Sequence, residues 1–186
     1  MKQNNIRGVL AQHKIIPVVT FSNLDQVAPM IEKLKSKNIH CIEITLRTPI
    51  AYAAIQFAKE NFGNEMTIGM GTIVSKAQID KAIELGVDFL VSPGISSPLA
   101  PYFNDSKLAF IPGVATPSDI ILGIQLGWDT FKFFPAHLFG GIHALKTYGQ
   151  VFPEIKFCPT GGINEETYSS FLELENVISV GGSWMQ

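Results

Sequence analysis

Lys132 stands among aromatic residues in Thr130-Phe131-Lys132-Phe133-Phe134, a setting in which a lysine can serve as an amine nucleophile rather than a surface cation. A strand's period of two puts Phe131 and Phe133 on one side and turns Thr130, Lys132 and Phe134 inward. Lysine is almost never buried without a reason, and desolvation among phenylalanines disfavours the charged ammonium. The free amine adds to ketones. Cys41-Ile42-Glu43-Ile44-Thr45-Leu46-Arg47 alternates in the same way, with Ile42, Ile44 and Leu46 on the apolar side and Cys41, Glu43, Thr45 and Arg47 on the other. An isolated interior ion costs several kcal/mol unless it is paired or hydrated, so stability alone would not select these side chains. Glu43 therefore reads as a proton shuttle, and Arg47, pointing into the same cavity, as a charge that would depress the lysine further. The competing accounts are a structural ion pair within one strand and a lysine that snorkels to the rim. For Lys156, at the start of its own strand, snorkelling is the better account.

Two glycine pairs accompany these residues: Thr160-Gly161-Gly162 and Gly181-Gly182-Ser183. Glycines let backbone N–H groups approach an anion closely, and barrel enzymes often bind phosphate with the loops after their seventh and eighth strands. Ordinary turn glycines are the plainer alternative.

The elements that must position all this follow from a repeat. Eight short apolar runs recur about two dozen residues apart, at 15–21, 41–47, 67–73, 89–92, 108–114, 130–134, 155–160 and 177–180, each followed by a turn and a stretch of helical period. Thr48-Pro49 and Thr116-Pro117 read as a cap followed by proline at the first helical position. Ser75 with Gln78 forms a capping box, Gly86 terminates that helix, and Asn164 with Glu165 and Glu166 reads as another helix start. Strict alternation implies parallel strands buried on both faces. The expected fold is an α/β TIM (β/α)8 barrel forming a single domain over residues 1–186. An extra N-terminal helix is expected over 2–12, and the eighth helix is missing because the sequence stops soon after the last run.

Composition narrows the function. An apolar share of 46% over 186 residues suits one large core, and a net charge of -2 gives no attraction to nucleic acid or anionic membranes. The first residues carry scattered charges and form neither a signal peptide nor a membrane span, so a cytoplasmic protein is expected. The two cysteines form no framework or CxxC motif. A metal-dependent aldolase or isomerase would rest on His137 and His143, whose spacing is not that of a helical ligand pair; no metal is expected. A non-catalytic phosphate-binding barrel is the other rival, one that covalent trapping would separate.

Several blocks resemble the bacterial 2-keto-3-deoxy-6-phosphogluconate (KDPG) and 4-hydroxy-2-oxoglutarate (KHG) aldolases. They are Ile42-Glu43-Ile44-Thr45-Leu46-Arg47-Thr48, Gly69-Met70-Gly71-Thr72, Ser92-Pro93-Gly94, Ile111-Pro112-Gly113, Phe131-Lys132-Phe133-Phe134-Pro135-Ala136, Phe157-Cys158-Pro159-Thr160-Gly161-Gly162-Ile163 and Gly181-Gly182-Ser183-Trp184. The resemblance implies a cofactor-free class I aldolase of the Entner-Doudoroff pathway, a homotrimer acting on a keto acid and releasing pyruvate. It implies that Lys132 forms the Schiff base and Glu43 is the general acid/base. Arg47 and Thr72 would hold the pyruvyl carboxylate, and Pro93 and Phe134 would line the pocket. Thr160, Gly161, Gly162, Gly182 and Ser183 would hold the distal phosphate. The epimeric phosphogalactonate substrate stays open. His137 departs from the pattern, which has Glu after Phe-Phe-Pro-Ala, and this bears on the polarity of the pocket mouth.

Overall fold

The computed structural model describes residues 3–186, and each apolar run contributes to a parallel strand. The strands are β1 (Ile15–Val19), β2 (Cys41–Thr45), β3 (Thr67–Gly71), β4 (Phe89–Val91), β5 (Ala109–Ile111), β6 (Gly113–Val114), β7 (Thr130–Phe133), β8 (Lys156–Pro159) and β9 (Val180–Gly182). The helices are α1 (Ile6–Gln12), α2 (Val27–Ser36), α3 (Ala51–Phe62), α4 (Lys76–Leu85), α5 (Ala100–Asp105), α6 (Pro117–Gln125), α7 (Gly141–Val151) and α8 (Tyr168–Leu172).

The closed eight-stranded barrel expected from the repeat does not form. The strands instead make a six-stranded parallel sheet, β5-β4-β3-β2-β1-β9, and a separate three-stranded parallel sheet, β6-β7-β8. Pro112 explains one seam: lacking an N–H, it splits the fifth run into β5 and β6 and hands the chain from one sheet to the other. At the second seam β8 and its extension meet the last run only through isolated bridges, Phe157 with Val177 and Thr160 with Gly181.

Side-chain alternation divides the core in two. Ile42, Ile44, Ile68, Met70, Phe131, Phe133 and Phe157 pack outward with helical residues such as Ile55, Ala58 and Leu145. Ile16, Cys41, Phe89, Val91, Ile111 and Cys158 form an inner cluster, joined by Ile6 and Leu10 of α1. The N-terminal helix thus plugs the interior; of its expected span, Lys2 lies outside the described residues. Gln3 pins the plug, accepting from the N–H groups of Asp129 and Thr130 and donating to the carbonyls of Phe110 and Thr130. Arg7 adds a bond from Nε to Thr130 Oγ1 at 2.9 Å.

Helix ends follow the sequence in part. Ser75 and Thr116 each cap their helix reciprocally, with Gln78 and Asp119, and Gly86 takes φ 63°. Thr48 does not cap: α3 starts three residues later, and the Thr48 hydroxyl donates to the Phe21 carbonyl across the β1 and β2 loops. Asn164 likewise precedes rather than opens α8, its side-chain Oδ1 accepting from the N–H groups of Glu166 and Thr167. Among the described residues no helix is long and apolar enough to cross a membrane.

Candidate active site

All strands run parallel, so the residues after their C-terminal ends gather at one face. Beneath that face lie the two groups with the strongest chemical case. Lys132, in the middle of β7, donates from Nζ to Glu43 Oε1 of β2 at 3.4 Å. Their side chains are 5% and 4% exposed. The period-two reading had put both on inward phases, and the structure brings them together across the interior from different sheets. A buried pair of this kind contributes little to stability, since desolvation of both ions offsets their attraction. The Lys132 amine also lies 5.0 Å from the centroid of the Phe134 ring, which supplies a cation–π face. Between the inner cluster and the pair remains a cavity of about 10 Å³, lined by Leu10, Ile16, Glu43, Lys132, Cys158 and Thr160 among others.

Sequence reasoning missed what holds Glu43. A Cβ on Gly71 would overlap the Glu43 carboxylate, and one on Gly69 would overlap the Phe89 ring. Both glycines leave β3 bare on its inner side, which lets the glutamate lean across it. Two glycines at period two inside a strand were the available signal, because strand glycines mark close approach.

Thr72, directly after β3, adopts φ 69°. For a β-branched residue this left-handed conformation is a strained outlier, of the kind that clusters at ligand sites. Arg47 is exposed beyond the end of β2 and so stands at the mouth, not in the interior where alternation had pointed it. The strand ends at Thr45, so the inward phase lapses before Arg47; Thr45 itself is fully buried and its hydroxyl meets that of Thr20 at 2.7 Å.

Pro93 and Phe134 are half-buried beside the mouth. The Pro93 carbonyl fills the position that a Cβ on Gly113 would need, so the β4 loop is seated against β6. Thr160 is buried and occupies the Cβ position of Gly181. Gly161 and Gly162 both take positive φ, 98° and 71°, which frees their N–H groups from strand pairing. Gly182 is buried under the Trp184 ring, and Ser183 is exposed beside it. His137 lies on the 3-10 turn Ala136–Leu138 and His143 is exposed on α7. No three His, Cys, Asp or Glu side chains come together as a metal site among the described residues.

A thiol completes the interior. Cys158 is in register with Lys132 on the neighbouring strand, and burial pushes its pKa up to about 11. Burial likewise raises Cys41 well above the ordinary thiol range.

Comparison with known proteins bears on this arrangement. The profile of the KDPG and KHG aldolase family matches residues 6–186. The KHG/KDPG aldolase of Escherichia coli is 35% identical over 184 residues, 98% of this chain and 85% of its own length. The KDPG aldolase of Legionella pneumophila, crystallised with pyruvate captured as a covalent carbinolamine intermediate, superposes with a TM-score of 0.93 at 41% identity, over 97% of this chain and 87% of that one. The KDPG aldolase of Zymomonas mobilis with 3-phosphoglycerate gives 0.92 at 39% identity, over 97% and 85%.

Proposed function

The chain belongs to the KDPG and KHG aldolase family and is a class I aldolase, and from that premise we propose that it cleaves 2-keto-3-deoxy-6-phosphogluconate to pyruvate and glyceraldehyde 3-phosphate through a Schiff base on Lys132. The observation that carries the residue assignment is the buried contact of Lys132 with Glu43 at 3.4 Å below the C-terminal face.

Each step has a residue. The Lys132 amine adds to the C2 ketone, and loss of water from the carbinolamine leaves an iminium that can take up the electrons of the C3–C4 bond. Glu43, directly or through a water, removes the C4-hydroxyl proton, the bond breaks and the aldehyde departs. Protonation of the enamine at C3 and hydrolysis then free pyruvate and the amine. Arg47 and Thr72 hold the pyruvyl carboxylate, so the ketone stays within attack distance. Pro93 and Phe134 wall the pocket. Thr160, Gly161, Gly162, Gly182 and Ser183 take the distal phosphate with backbone N–H and hydroxyl donors. With 4-hydroxy-2-oxoglutarate the same steps yield pyruvate and glyoxylate. The reading extends to a cytoplasmic homotrimer, supported on this chain by the exposed apolar pair Leu138 and Phe139.

Borohydride reduction in the presence of pyruvate tests the central step. One pyruvyl-derived mass should appear on the peptide carrying Lys132; label on another lysine, or none, would overturn the assignment.

A further inference from the structure

His137 is a polar group beside the mouth to which the proposed Lys132 route gives no part. Its turn is stitched to the β8 loop: the Ala136 N–H donates to the Thr160 carbonyl at 2.8 Å and the His137 N–H to the Gly161 carbonyl at 3.2 Å. Its side chain lies on Gly162, where an added Cβ would overlap the Cβ, Cγ and Nδ1 of the histidine. The ring is exposed, and it has no hydrogen-bond or ion-pair partner among the described residues. The imidazole is thus held by its backbone and by the bare face of a glycine, with its polar edge unspent. An imidazole offers at least one N–H donor in either tautomer.

We propose that His137 is a specificity-determining residue that donates to a phosphate on the aldehyde half of the substrate. The proposal rests on the reading that Gly161 and Gly162 hold the substrate's distal end. Strand geometry favours phosphate over a carboxylate. Cys158 is in register with Lys132, and Gly161 and Gly162 follow it by three and four residues. At up to about 3.3 Å per residue the start of the loop stands as much as roughly 10 Å beyond the level of the Lys132 backbone. The far carboxylate of a five-carbon keto acid lies only roughly 4 Å from the reacting carbon, whereas a phosphoester on a sixth carbon reaches roughly 7 Å. Its peripheral oxygens also outnumber those of a carboxylate, so they can accept from the glycine N–H groups and the imidazole together.

The test is the ratio of kcat/KM for 2-keto-3-deoxy-6-phosphogluconate to that for 4-hydroxy-2-oxoglutarate, measured in His137→Lys, His137→Gln, His137→Ala and His137→Glu. An anion ligand orders the variants by charge: Lys at or above the parent, Gln and Ala several-fold below it, and Glu at least tenfold below it, through KM for the phosphorylated substrate. A merely structural residue orders them by size, or lowers both substrates alike; either result, or a flat ratio, overturns the proposal. Four variants of different size keep the comparison alive if one fails to fold. Borohydride trapping of pyruvate in the parent reports separately on the Schiff-base reading, so that failure cannot be mistaken for this one.

Discussion

Glu43 and Arg47 lie four residues apart, yet one is buried against the amine and the other is exposed at the mouth, so their substitutions should separate by role. Glu43→Gln should lower kcat by roughly a hundred- to ten-thousandfold, as expected when a general acid/base is lost, with little change in KM. Gly71→Ala should lower kcat in the same direction, because the new methyl group displaces the carboxylate while far-UV circular dichroism stays as in the parent. Arg47→Lys should raise KM for keto acids by roughly tenfold, the scale of a lost hydrogen bond to a charged group, and an unchanged KM would contradict the clamp. Cys158 offers a test of the interior itself. With its pKa pushed up to about 11 it carries almost no thiolate at pH 8, so iodoacetamide should leave it unmodified in the folded protein and label it in denaturant, as read by peptide mass.

At the scale of elements, β1 and β3 are joined at their lower ends by an imidazole. His13, just before β1, has Nε2 3.1 Å from the Thr67 hydroxyl at the start of β3, and burial together with repulsion from His40 holds its pKa below 6.5. The unfolded chain therefore binds this proton first. The stability His13 contributes is complete above pH 6.5 and is lost as pH falls through 6.5 toward the folded value. His13→Gln should flatten that part of the profile, measured as urea midpoints between about pH 8 and pH 5. The elements also mark what the sequence could convey. Inward and outward faces of β2 and β7 were legible because the period of two is strict and the outward residues are all apolar. The Ser75 cap was legible because Gln78 follows three residues later; Thr116 and Thr48 were read alike from the following proline, but only Thr116 has a reciprocal partner, Asp119, and the Thr48 hydroxyl found a carbonyl of another loop instead. Alternation cannot say where a strand stops, which is why Arg47 was aimed inward. Nor can an eight-fold repeat reveal whether its sheet closes: that turned on one missing N–H at Pro112 and on how short β9 is.

At the scale of the molecule, the proposed homotrimer would draw on apolar side chains that face solvent. Leu138 is 69% and Phe139 43% exposed, at the end of the turn that follows β7. Neither tryptophan is free to serve there: Trp128 is buried with its indole N–H on Asn104, and Trp184 stacks on Tyr168. Cyclic three-fold symmetry would cover the Leu138 patch on every subunit without leaving a free edge. Light scattering at micromolar concentration should thus give about three times the 20.4 kDa chain mass, and Leu138→Asp with Phe139→Glu should reduce it; an active monomer of the parent would refute the trimer. The α1 plug bears on the order of events. With Ile6 and Leu10 stoppering one end and about 10 Å³ left above them, room for at most about one water, the amine sits at the blind end of a cul-de-sac. On the proposed Lys132 route pyruvate stays covalently held until hydrolysis, so the aldehyde half leaves first, and with α1 closing the far end the hydrolytic water has to come in through the mouth that the aldehyde has vacated.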